Sequence, residues 1–514
     1  MTIVAVLTVG AVAGFMAQLG GNEGSEPSGP PVKVPATIFY ATHSPITISG
    51  NGGFTNASGV VWGSGTASDP YIIADWDINA SSANGIDISD SSVYFIIRNC
   101  YIHDGLTNGH YGVSLDNVAN GSILGNILSV NWFGIYLYSS NAIIISNNTC
   151  SEGNWGMLMT HSRHNMLGNN TCAANFYEGI VLDTMSNNNV LSDNNCSDNN
   201  DDGIFLDSAS NNTLINNNCS NGDYGIILTH SGSYNNTLID NNCSSHTYDG
   251  MLLSSSGNNT LINNTCSWNL QWGIEVQSSS NNSMVRNNCS ANGNDGIYLG
   301  ASSDNNTLVS NSGFSNAYNG IDIVSSRDNI AVSNTWSSNG YDGAYVGFST
   351  NNTLDSNNCS WNSRWGIQIR DSNGTVLLRN QLCNNVQYGV YIYSASSSSN
   401  VVFNNTFTGN NGAGSTYDLA HIQAYDEGTG NWWNSTDGYG NYWSDWTTPD
   451  VVPPYGIVDQ PYVVDGSGGA EDYYPQTSPL APIPEFSAMP FVAIVLLAAI
   501  LLAARRKNLQ ETRK

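Results

Sequence analysis

The chain has 514 residues, with 13 Lys+Arg against 40 Asp+Glu, a formal net charge of −27 and only 10% charged residues. A typical soluble domain carries about 25%, so the acidity reflects a shortage of bases, and Lys33, Lys507 and Lys514 are the only lysines. Nucleic acid is therefore a poor partner, because phosphate binding needs clustered Lys and Arg, and adhesion to anionic lipid head groups is disfavoured for the same reason.

The apolar run at 3–19 predicts a secretory signal peptide or signal anchor over residues 1–20, although no Lys or Arg precedes it. The Gly/Ser/Pro-rich stretch 21–35 reads as a linker. Residues 36–84 are expected to cap the repeats of 85–411.

A glycine followed by an apolar residue recurs from Gly85 to Gly389 in steps of 22 to 27 residues. One unit, starting at Gly203, reads GIFLDSASNNTLINNNCSNGDY. Apolar residues alternate after each glycine (Ile204/Leu206, Ile226/Leu228, Ile297/Leu299), which is the period of a strand with one buried face. A second apolar column holds Leu167, Leu191, Leu214, Leu238, Leu261, Met284, Leu308 and Leu354. Three short strands per turn, joined by Asn/Ser/Gly corners, predict an all-β fold: a parallel β-helix of about fourteen rungs of ~23 residues.

A third column, read from Cys100 through Leu128 and Cys150 to Cys383 and Phe407, takes in every cysteine. Stacked equivalents lie roughly 4.8 Å apart, whereas a disulfide wants Cβ atoms about 3.8 Å apart. Buried free thiols packing as small apolar groups are expected. One thiol per rung offers no convergent zinc site. Two positions earlier runs an asparagine column from Asn126 to Asn405, with Arg98 and Gln381 as its exceptions; a weaker one includes Asn175, Asn199, Asn269, Asn292 and Asn339. Stacked amides can donate and accept along the axis.

Candidate chemistry lies just before each glycine. Trp155, Tyr224, Trp272, Trp365 and Tyr388 alternate there with Glu178, Asp202, Asp249, Asp295 and Asp342. An outward stripe of this kind would be a carbohydrate platform, rings stacking on sugars and carboxylates taking hydroxyl hydrogen bonds; the alternative is a solvated corner whose aromatics shield strand ends. Asp201, Asp202 and Asp223, with Asp207, form the densest acidic group, suited to glycoside hydrolysis or a weak Ca²⁺ site. Met157, Met159, His161, His164 and Met166 resemble a soft-metal set, but the first two occupy inward columns, so no metal is expected there. No other cofactor is expected. Of 20 Asn-x-Ser/Thr sequons, five are Asn-Cys-Ser, at Asn195, Asn218, Asn242, Asn288 and Asn358. Each precedes an inward cysteine and should point outward, so glycosylation is expected.

Residues 412–478 are expected to cap the far end, with Trp432, Trp433, Trp443 and Trp446 closing the apolar core. Linker 479–485 leads to an apolar run at 486–504, the length of a transmembrane helix. The tail 505–514 opens with Arg505-Arg506-Lys507, which places it in the cytoplasm and the bulk of the chain outside.

The repeat, the opening segments 43–46, 63–74 and 95–100, and the closing segments 430–446 and 472–475 together resemble the NosD-like, or CASH, right-handed parallel β-helix group in its archaeal surface form. Pro484-Glu485-Phe486, the apolar span and the basic tail resemble PEF-type sorting signals, which implies processing by a sortase-like enzyme. Pectin-hydrolase motif sets that share this fold are missing. The resemblance implies the fold and a surface location far better than an activity. With the apolar span, the sequons and the aromatic and acidic stripe, the expected protein is an exported, membrane-anchored cell-surface glycoprotein with glycans or polysaccharide as partners and a non-catalytic binding, adhesion or envelope role. A polysaccharide-degrading enzyme using Asp201, Asp202 and Asp223, or a purely structural envelope protein, are the alternatives.

Overall fold

A computed structural model describes residues 40–479. The signal segment, the linker at 21–35, the sorting motif, the apolar span at 486–504 and the basic tail lie outside the described residues. Among the described residues no helix is long and apolar enough to cross a membrane.

Alternation builds the walls. In the strand Ile204–Asp207, Ile204 and Leu206 face inward and are fully buried. The chain then turns, runs Thr213–Ile215 with Leu214 inward, turns again, and passes Asn218 and Cys219. Ile204 and Leu206 pair with Ile226 and Leu228 of the next turn, in parallel and in register. The molecule is a parallel β-helix with three faces. The first and second faces are sheets of 16 strands each. The third is a five-strand sheet at one end and a three-strand sheet at the other, joined by single bridges from Thr149 to Gln381.

Sixteen strands exceed the fourteen rungs expected. Ile46–Ser49 pairs with Ile86–Ser89, and Ala424–Asp426 with Val390–Tyr393, so the stack runs into both end segments. At the far end the Trp443 ring stacks on Phe407 at 4.1 Å and on Tyr462 at 3.9 Å. The Trp433 and Trp443 indoles donate to Asp426 and Asp472, each at 2.9 Å. Trp432 stays exposed and plays no part in closing that end.

Each corner needs a sharp bend, supplied by residues at positive φ such as Ser208, Asn211, Asn216 and Asn221. Short polar side chains tolerate that conformation. The residue after the bend is commonly a buried asparagine. Asn241 donates from Nδ2 to the Leu214 carbonyl and to Asn264 Oδ1, and from its backbone N–H to the same Oδ1, all at 3.0 Å. Repeated turn after turn, this satisfies corner groups that water cannot reach. Three such ladders run along the rod. Two follow the columns read from the sequence. The third, through Asn189, Asn212, Asn236 and Asn259, lines the corner between first and second faces.

The cysteine column needs two corrections. Ile102, not Cys100, pairs with Leu128. The Cys100 backbone N–H donates to Asn126 Oδ1 at 2.9 Å, so Cys100 stands at the head of the asparagine ladder, where Arg98 was placed. The opening turn is longer, which displaces the register by two. At the other end Leu382 pairs with Phe407, and Asn380 Oδ1 accepts from the Asn357 backbone N–H. The register follows the buried leucine, so Cys383 lies one residue beyond the column, half-buried, and Asn380 replaces Gln381 in the ladder. Between them, Cys150, Cys172, Cys196, Cys219, Cys243, Cys266 and Cys289 occupy successive turns as buried free thiols. Burial pushes Cys150, Cys196, Cys243 and Cys289 well above the usual thiol range.

Candidate functional site

The corner between the third face and the first differs from the other two. One turn of it reads Cys266-Ser267-Trp268-Asn269-Leu270-Gln271-Trp272-Gly273. Asn269 is buried in a ladder, its Nδ2 donating to Asn292 Oδ1 at 3.1 Å. Gly273 follows because a Cβ there would meet the Gly296 carbonyl oxygen at 2.5 Å and Asn292 Nδ2 at 2.8 Å. The remaining positions carry aromatic and acidic side chains.

The stripe before each glycine is not an open outward row. Trp155, Tyr224, Trp272 and Tyr388 are half-buried, Trp365 is only 8% exposed, and Asp202, Asp249, Asp295 and Asp342 are buried. The cause is the ladder itself. Side chains repeated at one strand spacing stack on one another and consume each other's faces. Trp155 stacks on Tyr177 at 4.6 Å, Tyr224 on Tyr248 at 5.1 Å, and Tyr318 on Tyr341 at 4.8 Å. Trp365 is covered by Tyr391 at 4.4 Å and by the Arg364 guanidinium at 3.9 Å. The expectation that Trp365 offers a sugar platform is therefore corrected.

The carboxyls are held in the same lattice. The Trp155 indole donates to Glu178, and the Trp272 indole to Asp295 at 3.0 Å. Backbone N–H groups of Trp272 and Asn319 donate to Asp249 at 3.0 Å and Asp295 at 2.8 Å. Burial, then the charges of Glu178, Asp201 and Asp223, pushes Asp202 up to about 8. Burial, then Glu275, pushes Asp249 up to about 8. Burial pushes Asp342 up to about 7 against the pull of Arg364. These shifts favour the protonated form of Asp202, Asp249 and Asp342, in which a carboxyl can donate as well as accept a hydrogen bond.

Asp201, Asp202 and Asp223 do come together, on adjacent turns: the Asp223 backbone N–H donates to the Asp201 carbonyl at 2.7 Å. Asp202, buried, is not the open member of an exposed acidic group that the sequence suggested. Asp207 lies elsewhere on the first face, paired with His230 at 2.8 Å. Asn195, Asn218, Asn242, Asn288 and Asn358 lie half-buried on the third face.

The most exposed rings of this corner were missed by the sequence reading. Trp268 is 71% exposed and Trp361 64%, each at positive φ two residues beyond a buried cysteine. They are equivalent positions four turns apart, as the bridges Thr265↔Asn288↔Ser312↔Thr335↔Asn358 establish. Neither ring has an aromatic partner among the described residues. The intervening turns carry Ala291, Ser315 and Ser338 there. A bulky indole at positive φ is uncommon, and a tryptophan interrupting a column of small residues was the available signal.

The fold and this corner define a rigid parallel β-solenoid with one chemically varied edge. Residues 68–242 match the family described as periplasmic copper-binding protein (NosD), and residues 231–336 and 304–425 match the right handed beta helix region. The chain is a NosD-like right-handed parallel β-helix protein. No curated protein matches it. Similar solved structures include the A-module of mannuronan C-5 epimerase AlgE4 from Azotobacter vinelandii, at 12% identity over 69% of this chain and 89% of that one, TM-score 0.33. PfbA, a surface adhesin of Streptococcus pneumoniae, is 10% identical over 62% of this chain and 86% of that one, TM-score 0.30. The Dettilon tailspike protein is 16% identical over 63% of each chain, TM-score 0.36. At those TM-scores the likenesses carry no argument about activity.

The family description implies copper, and the residues do not fit it. Among the described residues no three or more His, Cys, Asp or Glu are grouped to hold a metal ion. Met157 and Met159 point into the core, whereas His161 and His164 sit at positive φ in the turn beyond. The seven thiols run in single file, one per turn, and do not converge.

Proposed function

We propose that this chain is an exported β-helix of the cell surface that binds glycan without cleaving it, along the corner between the third and first faces. The sequence features at 1–20 and 486–514 support export and membrane anchoring, with the sorting signal acting in an archaeal-type envelope. One observation carries the binding reading: Trp268 and Trp361 present free indole faces to solvent on one edge of the rod. Their four-turn separation is roughly 19 Å, a span for an extended chain rather than a single sugar. Between and beside them the half-buried Trp155, Tyr224, Trp272 and Tyr388 offer ring edges, and the carboxyls offer both donors and acceptors. Two rings standing four turns apart suit stacking on separate sugars of one chain, although exposed Leu270 lies beside the first.

Affinity electrophoresis of the full chain in detergent, through gels containing different polysaccharides, tests this. Retardation without cleavage is expected on at least one gel. The Trp268→Ala/Trp361→Ala double variant should then migrate freely. Retardation unchanged in that variant would overturn the site. No retardation on any gel would favour a structural envelope role. New reducing ends or unsaturated products, lost in Asp202→Asn, would move the case to an enzyme.

A further inference from the structure

The corner between the first and second faces carries a feature that neither the fold nor glycan binding requires. Each turn there runs through a residue at positive φ, a ladder position that is mostly a buried asparagine, and the first residue of the second-face strand. In six turns that strand begins with Thr213, Thr237, Thr260, Ser283, Thr307 or Thr353. In all six the residue at positive φ is asparagine: Asn211, Asn235, Asn258, Asn281, Asn305 and Asn351. In six other turns the strand begins with Ile144, Met166, Val190, Ile330, Val376 or Val401. There the same bend holds alanine, histidine, aspartate, glycine, serine and, once, asparagine.

The bend accepts all of those residues, and the strand accepts either a β-branched apolar residue or threonine. Backbone geometry therefore does not couple the two positions. The unit Asn-x-Ser/Thr does, because N-linked transfer reads both.

The geometry favours this set over Asn-Cys-Ser. Asn211, Asn258, Asn281, Asn305 and Asn351 are exposed, and Asn235 is half-buried. The side-chain amides of Asn258, Asn281, Asn305 and Asn351 make no hydrogen bond among the described residues. On the third face, by contrast, Asn218 Nδ2 donates to Asn195 Oδ1 at 3.1 Å and Asn242 Nδ2 to Asn218 Oδ1 at 2.9 Å. Modification there would break a ladder.

We infer that the corner between the first and second faces is the principal N-glycosylation edge of this protein, with oligosaccharide on Asn211, Asn258, Asn281, Asn305 and Asn351. In the step implied, Nδ2 forms a bond to the anomeric carbon of a lipid-phosphate-linked oligosaccharide. The bond from that carbon to the phosphate oxygen breaks, and the amide proton leaves with the lipid phosphate. The inference rests on the export part of the proposed function and is independent of the ligand-binding corner.

The test uses the full chain purified from its own cells, with protease accessibility on intact cells to establish location and peptide mapping by mass spectrometry. Oligosaccharide mass on the exposed first-corner asparagines is expected. The Thr260→Val variant, which keeps Asn258 and places there the residue found at Val190, should lose the modification at Asn258 alone. A surface-exposed chain with all six asparagines bare would overturn the inference, leave export standing, and attribute the coupling to duplication of repeats. Modification of Asn258 that survives Thr260→Val would also overturn it. A chain found only inside the cell would remove both export and glycosylation.

Discussion

The corner between the first and second faces (the first corner) and the corner between the third face and the first (the third corner) share one device and differ in much of what surrounds it. Both carry a buried asparagine ladder, through Asn212 and Asn236 at one and Asn269 and Asn292 at the other. Around the first ladder each turn has a residue at positive φ, most often asparagine, then the ladder position, then a strand. Around the third, consecutive positions hold Asp201 and Asp202 in one turn, Trp268 and Leu270 in another, Tyr341 and, a turn on, Arg364. The hydrogen-bonded column is what the stack demands. The positions beside it are released from that demand, and at the third corner they hold stacked rings and buried carboxyls turn after turn, whereas the first carries scattered exceptions such as the Arg327–Asp304 pair and the exposed Tyr234 and Phe348.

The sharpest way to break this contrast is to exchange the two kinds of position. Asn264→Ala removes the acceptor of the Asn241 backbone N–H and a donor to the Leu238 carbonyl, both buried. A loss of about 2–5 kcal/mol in urea unfolding is expected, since each unsatisfied buried group costs about 1–3 kcal/mol. Trp268→Ala, exposed and at positive φ, should shift stability by less than about 0.5 kcal/mol. Equal losses would erase the distinction. Binding should invert the order: on any glycan that retards the chain, Trp268→Ala should weaken affinity about tenfold, the size of one good aromatic contact, while a folded first-corner variant such as Thr260→Val leaves it unchanged.

The buried carboxyls sharpen the contrast through pH. Asp202, Asp249 and Asp342 have folded-state values raised to between about 7 and about 8. The folded state therefore holds more protons than the unfolded one between about pH 4 and pH 8, and stability falls as pH rises through that window. The melting temperature should drop from pH 5 to pH 9, and Asp202→Asn/Asp249→Asn should flatten the drop. His246 opposes this only at the acid end, where burial holds it down at about 4. A gain in stability is expected at the same residue. His246 replaces a ladder asparagine and leaves Nε2 buried without a partner. His246→Asn should restore the ladder and stabilise the rod by about 1 kcal/mol, read by the urea midpoint.

Strand period and inward columns were legible because burial imposes alternation residue by residue, as at Ile204 and Leu206. The first-corner ladder was not, because each turn there presents an Asn-Asn pair such as Asn211-Asn212, and sequence cannot say which member is inside. Cys100 and Cys383 were misplaced because chemical identity was followed where register follows buried volume. At the candidate site, the exposure of the stripe was not legible. Composition does not reveal that Trp365 lies beneath Arg364 and Tyr391, and regularity passes over Trp268 and Trp361, which are exposed where they break it.

The single file of thiols makes the rod its own strain gauge. A cysteine-directed reagent cannot reach Cys150 through Cys289 while the turns stay stacked, so the extent of labelling at each position measures how often that turn comes apart. Half-buried Cys383 supplies the reference near one end. Read along the axis, the seven sites would show whether the stack frays from its ends or parts in the middle, without any probe having been built in.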